Sequence, residues 1–356
     1  MILRRSLDGV LGQLANEGLL TDAQLEPARA AAANRPEATP WFVRVLVGAG
    51  AWVASLLVLV FCGMAKLLDG AASQLVLGTL FYGGAVALRR LGRGDFAQQL
   101  SLSFGLAGAA MLVFALADGV GSEKYVAVLL AALCIAVVTV VAFPDVVMRF
   151  LATLAASVSL VLFFHQVELG PDGAVLVVGV LAGLTWHFEP RLLAHPLTRP
   201  LQRPVAWGLL ISFLGAMLTT LIQQNELRVG PLASVAATVA LLVLLVAIAV
   251  EHRASLVGEP VVVALLVAVV LGAIMFRAPG VVAALYAMLL AFHRRSPVML
   301  GLAMVFLVTF GTFFYLSLEL TLLRRGAVLL GSGGVMLALR AYVRWRFGPI
   351  VEEELP

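Results

Sequence analysis

"VAATVALLVLLVAIAV", residues 235–250, decides the fold class. It carries no charge and does not alternate apolar with polar positions. A strand of a transmembrane barrel would do so over segments of about ten residues. A helix rises 1.5 Å per residue, and with its flanks this run approaches the ~20 residues that cross a hydrocarbon layer of about 30 Å. The rest of the chain is of the same kind: 62% of the 356 residues are hydrophobic and 12% charged. That composition belongs to membrane proteins and leaves soluble globular folds without support.

Further runs, each bounded by charged or Pro/Gly clusters, predict spans at 44–65, 72–88, 100–117, 125–143, 146–164, 173–189, 204–222, 231–250, 260–276, 278–292, 297–316 and 326–343. The expected fold is all-α: a polytopic transmembrane helical bundle of about 12 spans, preceded by a short cytoplasmic helical hairpin. Two connections are tight, "FPD" at 143–145 and "RAPG" at 277–280. Both contain a proline, which removes a backbone donor and biases its predecessor away from helix, so both read as turns.

The basic residues orient this arrangement. With the N-terminus in the cytoplasm, the tail and the even-numbered connections collect Arg4, Arg5, Arg29, Arg35, Arg44, Arg89, Arg90, Arg93, Arg149, Arg191, Arg199, Arg203, Arg253, Arg294 and Arg295, and the C-terminal end adds Arg340, Arg344 and Arg346. Only Lys66, Lys124, Arg228, Arg277, Arg324 and Arg325 fall on the other side, among acids such as Asp69, Asp118, Glu123, Glu168, Asp172 and Glu226. An excess of Lys and Arg marks cytoplasmic loops. The expected location is the bacterial inner membrane, multi-pass, with both termini cytoplasmic.

Residues 1–40 lack the apolar core and cleavage site of a signal peptide and read as a cytoplasmic helical hairpin. Gly18 ends the first helix, Thr21 and Gln24 form a capping box for the second, and Pro36 closes it. Leu3, Leu7, Val10, Leu11 and Leu14 share a face, which suits packing on this protein or a partner, or lying on the membrane surface. The transmembrane domain is expected over 41–346 and a cytoplasmic acidic tail over 347–356. Cys62 and Cys134 sit singly in apolar runs and read as buried, inert thiols rather than a disulfide or redox pair.

"GRGDFAQQLSLSFGLAGAAML" at 92–112 and "FYLSLELTLLRRGAVLLGSGGVMLALR" at 314–340 resemble the DUF4401 family of bacterial integral membrane proteins, which is related in layout to the DUF2157 membrane proteins. The N-terminal hairpin followed by many spans adds to the likeness. The resemblance implies a membrane location and a neighbouring membrane or periplasmic protein as partner. It supplies no catalytic residues.

Several polar clusters compete as sites. "YLSLELTLLRRG", 315–326, brings Tyr315, Glu319, Thr321, Arg324 and Arg325 together at an outer turn. A glutamate inside the bilayer would need a partner such as Arg324 and would suit a coupling or partner site; at the rim, the same residues are an interfacial belt. In "FFHQVELG", 163–170, His165 and Glu168 are spaced to meet if the helix continues, and otherwise form an exposed polar loop. "WHFEPRLLAHP", 186–196, is irregular for a metal motif and reads as a cytoplasmic loop anchored by Trp186. Gly48 with Ser55, Gly105 with Ala109, and Gly331 with Gly334 place small residues on helix faces, which suits close packing; "GSGG" at 331–334 also suits a helix break.

HExxH, GxSxG and GK[ST] motifs are all missing, so no catalytic residue, metal ligand or cofactor is expected, and the arginines follow a membrane face rather than a nucleic-acid surface. The protein is therefore expected not to be an enzyme. Its partners are the lipid bilayer and a neighbouring protein. Its architecture is transporter-like or permease-like with an unknown solute; the alternative is a non-catalytic scaffold or sensor binding a partner at the hairpin or the outer polar turns.

Overall fold

The computed structural model describes residues 11, 12, 15, 17, 18, 21, 24–28, 41–92, 94–120, 125–222, 231–253, 255, 258–276, 278–317, 330, 334, 337, 341, 344 and 345. Among the described residues every regular element is helical. In order they are α1 Trp41–Met64, α2 Ala71–Leu91, α3 Asp95–Val120, α4 Tyr125–Ala142, α5 Val146–Gln166, α6 Pro171–His187, α7 Glu189–Ala194, α8 Arg199–Ile222, α9 Pro231–Glu251, α10 Glu259–Ile274, α11 Pro279–His293 and α12 Pro297–Ser317.

The breaks follow local chemistry. The Asp145 carboxylate caps α5 by accepting the Met148 N–H at 2.9 Å, so "FPD" is a turn between two helices. Pro171 and Pro279 open α6 and α11 in their first turn, where a missing N–H costs nothing. At the N-terminal end, Gly18 takes a φ of 70° and the Thr21 N–H donates to Gln24 Oε1 at 3.2 Å, a local capping geometry within an expected hairpin that otherwise lies largely outside the described residues.

Among the described residues eight helices are long and apolar enough to cross a membrane: α1 to α5, α8, α9 and α12. Helices α6, α10 and α11 are apolar but shorter. Each of them has a proline in its first turn, which fixes its start. The run expected at 326–343 lies almost wholly outside the described residues.

Two groups of helices pack side by side. In the first, α2 and α3 form a close hairpin, α1 lies on α3, and α4 pairs with α5. Gly78 and Gly108 allow the α2–α3 approach: a Cβ at Gly108 would stand 2.6 Å from the Tyr82 backbone nitrogen and 2.9 Å from the Gly78 carbonyl. In the second group α8 and α11 are surrounded by α6, α9 and α12, with α10 on the outside of α9. Its core runs through Phe213, Leu214, Met217, Tyr286, Leu290 and Phe310. The contact of α5 with α8 joins the groups.

Ion pairs and hydrogen bonds tie the alternate connections into one end of the molecule. Arg89 meets Asp145, Arg149 donates to the Pro200 carbonyl at 3.0 Å, Arg294 meets Glu189, and His293 meets Glu251. Arg90, Arg191, Arg199, Arg203, Arg253 and Arg295 lie on these same connections. At the opposite end, Lys66 is the one Lys or Arg among the described residues, beside Asp69, Asp118, Glu168 and Asp172.

Between the two ends, hydroxyls are mostly returned to their own helix. Thr79, Thr153, Ser157, Thr238 and Thr309 each donate to the carbonyl four residues earlier. In an apolar medium that satisfies the donor without a partner helix. Of the two thiols, Cys62 is buried as expected, but Cys134 is exposed on the apolar surface of α4.

Candidate functional site

The polar groups that converge do so at the basic end of the second helix group. Helix α6 stops at His187, and Pro190 starts the six-residue α7 in a new direction. The Thr198 hydroxyl donates to the Leu192 carbonyl at 2.6 Å, holding the return toward α8. This turn brings Glu189 to Arg294 at the end of α11, with 3.1 Å between carboxylate and guanidinium, while the second Arg294 nitrogen donates to the Trp186 carbonyl at 2.6 Å. The arginine is thus fixed at two of its nitrogens.

Trp186 is 7% exposed and stands edge-on to Trp207 of α8, with ring centroids 6.1 Å apart. The sequence had suggested an aromatic anchor on a surface loop. Instead the ring is part of the core, because α8 and α11 close over it. Its indole Nε1 and the Arg294 Nε are buried without a hydrogen-bond partner among the described residues.

Two cavities share Trp186 and Arg294 as a common wall. The first is an apolar groove of about 390 Å³ between α6, α9 and α11, walled by residues such as Val180, Gly183, Leu184, Val239, Val243 and Tyr286. Val180, Leu184, Val239 and Val243 are 50%, 45%, 46% and 55% exposed, so the groove is open along its outer side. Its charged residues and histidines, His187, Glu251, His293 and Arg294, are gathered at the basic end. His293 Nε2 lies 3.0 Å from the Glu251 carboxylate, and the His252 ring stands edge-on to His293. The second cavity, about 530 Å³, is wider open to its surroundings than the groove; this open chamber is bounded by Trp186, Glu189, Arg203, Trp207, Arg294 and Ser296, with Pro190, Leu193 and Met299 completing it.

Most sequence-suggested positions lie elsewhere. Tyr315 is in the last turn of α12; Glu319, Thr321, Arg324, Arg325 and Gly331 lie outside the described residues. His165 and Glu168 are both exposed: α5 ends at Gln166 and Glu168 turns to a φ of 57°, so the helical spacing that would pair them is lost. Gly105 lies against the Phe143 ring, Ser55 is buried and donates to the Trp52 carbonyl, Gly48 faces Gln99, and Gly334 has open space around it. Among the described residues no group of three His, Cys, Asp or Glu could hold a metal ion. Arg203, Trp207, Glu251, His293, Arg294 and Ser296 are site residues that sequence reading missed; for the last three of the chain, His293, Arg294 and Ser296, the available signal was the polar "HRRS" following an apolar run at 293–296.

A family model described as a domain of unknown function (DUF4401) matches residues 40–346. The chain belongs to the DUF4401 family. That region contains α1 to α12 entire, so both cavities are features of the DUF4401 part of the chain rather than of the stretch before it. No curated protein and no solved structure matches the chain.

Proposed function

We propose that this DUF4401 protein is a non-enzymatic, carrier-like protein of the bacterial inner membrane, multi-pass with both termini cytoplasmic, and that it holds an amphipathic, lipid-like molecule in the groove between α6, α9 and α11. The observation that carries the reading is the groove itself: a mostly apolar cavity of about 390 Å³ with its charged residues gathered at one end. Ligand sites commonly have volumes of roughly 300 to 1,000 Å³ and few, localised polar groups.

The dimensions support a hydrocarbon chain. Leu176 to His187 along α6 measures about 16 Å at 1.5 Å per residue, close to the ~15 Å hydrocarbon depth of one leaflet. A hydrophilic solute is disfavoured, because its path would need polar or ionisable groups facing the bundle interior. Here the mid-helix hydroxyls are largely bonded to their own backbone. The basic excess at the end bearing the groove mouth supports placing that end in the cytoplasm.

A scaffold role, with a neighbouring membrane or periplasmic protein as partner, is the second reading. It is favoured by the gathering of charges at the two ends, but it leaves the groove without a purpose. The deciding experiment is photolabelling in lipid nanodiscs with a phospholipid carrying a diazirine in its acyl chain. Carrier-like binding puts the adducts on α6, α9 and α11; adducts spread evenly over outward faces such as those of α1, α10 and α12 would sink it.

A further inference from the structure

A hydrocarbon chain gains little by moving from the bilayer into an apolar groove, because lipid tails are as apolar as the leucines that replace them. Any selectivity has to come from the polar end of the ligand. The groove mouth leads to Trp186 and Arg294, and these two residues also wall the chamber on the far side.

The chamber is rich in donors. Arg294 is held by Glu189 and by the Trp186 carbonyl, and its Nε–H remains buried and unpaired among the described residues. The Trp186 indole N–H is in the same condition, on a side chain 7% exposed. Arg203 adds a second guanidinium with no carboxylate within ion-pair distance among the described residues, and Ser296 can supply a hydroxyl. Against these stands one acid, Glu189, already engaged by Arg294. Two arginines and one glutamate leave the chamber with a net positive charge.

We propose that this chamber binds a phosphate-type anion, supplied by the head group of an acidic lipid or by free phosphate. Arg203 and the Ser296 hydroxyl hold the phosphate oxygens, and Arg294, kept in position by Glu189, adds its positive charge. Planar guanidinium groups suit phosphate oxygens, and basic pockets between membrane helices bind acidic lipid heads at the cytoplasmic face. This assignment stands on the chamber alone and is independent of the carrier-like reading of the groove.

The test uses the full-length protein in nanodiscs, read by tryptophan emission, since Trp186 and Trp207 both line the chamber. Phosphatidylcholine discs are titrated with phosphatidylglycerol, and separately with inorganic phosphate. The expected result is a saturable change with phosphatidylglycerol that Arg203→Gln weakens about tenfold, the scale of one charge-assisted hydrogen bond. Arg90→Gln, an exposed arginine at the same end but outside the chamber, should leave the response unchanged. Arg203 is itself exposed, so its replacement is compatible with folding, and an unaltered melting temperature verifies that. Saturable binding of inorganic phosphate that is sensitive to Arg203→Gln, with acyl-chain labelling absent from the groove, would support the anion site and sink the carrier-like reading. The proposal is overturned if neither probe gives a saturable change, or if Arg203→Gln and Arg90→Gln weaken the response equally, since the attraction would then be a general property of the basic surface.

Discussion

Arg89, in the last turn of α2, reaches Asp145, the residue that caps α5, with 2.5 Å between guanidinium nitrogen and carboxylate oxygen. One carboxylate therefore serves two purposes. Its second oxygen accepts the Met148 N–H at 2.9 Å, so the same side chain starts α5 and fastens the α2–α3 hairpin to it. Both partners are mostly shielded, at 20% and 12% exposure, which makes the pair more consequential than an ion pair in open water.

Two substitutions separate these purposes. Asp145→Asn keeps an oxygen for the cap but loses the charge opposite Arg89; Asp145→Ala loses both. The alanine variant should be less stable than the asparagine variant by ~1 kcal/mol, the usual worth of an N-cap, and both should be less stable than the parent. Thermal unfolding in detergent, followed by helical circular dichroism, measures the order. Equal losses in the two variants would show that the cap contributes nothing.

Gly108 is the tightest point of the α2–α3 hairpin. Gly108→Ala places a methyl group 2.6 Å from the Tyr82 backbone nitrogen, and backbone cannot swing aside as a side chain can. A loss of about 1–3 kcal/mol is expected, the range for overpacking. Gly83→Ala, on the partner helix α2 and with open space around it, is the control and should be neutral or slightly stabilising through helix propensity. If the two variants melt together, the close contact is not a constraint.

Orientation is testable at two exposed positions of opposite ends, Lys66 and Arg253. With Cys62 and Cys134 replaced by alanine, Lys66→Cys should react with an impermeant maleimide added to intact cells, and Arg253→Cys only after the membrane is opened. The reverse pattern would invert the protein and move both cavities' polar ends to the outer face.

The helices were legible in the sequence because an apolar run ended by proline or charge has few other solutions in a bilayer, as 235–250 shows. "FPD" and "RAPG" were legible as turns for the same reason. The chamber was not. Its side chains come from four places, 186–193, 203–207, 294–296 and Met299, and each looks like an ordinary polar helix end when read alone. Trp186 misled most: a tryptophan beside a charged loop usually sits at the membrane interface, and only the packing of α8 and α11 buries it. His165 and Glu168 take the exposed-loop form of their two readings, because α5 stops at Gln166.

Gly183 and Gly179 provide the sharpest test of the groove, since they lie one helical turn apart on α6 and differ in what stands in front of them. A Cβ at Gly183 has only the Tyr286 hydroxyl nearby, at 3.9 Å, so Gly183→Leu can extend into the groove without moving the backbone. It should cut acyl-chain photolabelling of α6, α9 and α11 several-fold while changing stability by no more than ~0.5 kcal/mol, as for a substitution outside the packed core. A Cβ at Gly179 would stand 2.7 Å from the Phe213 ring, which is fully buried. Gly179→Leu should therefore destabilise the bundle by about 1–3 kcal/mol. Normal labelling in a well-folded Gly183→Leu protein would mean that the chain is held somewhere other than this groove.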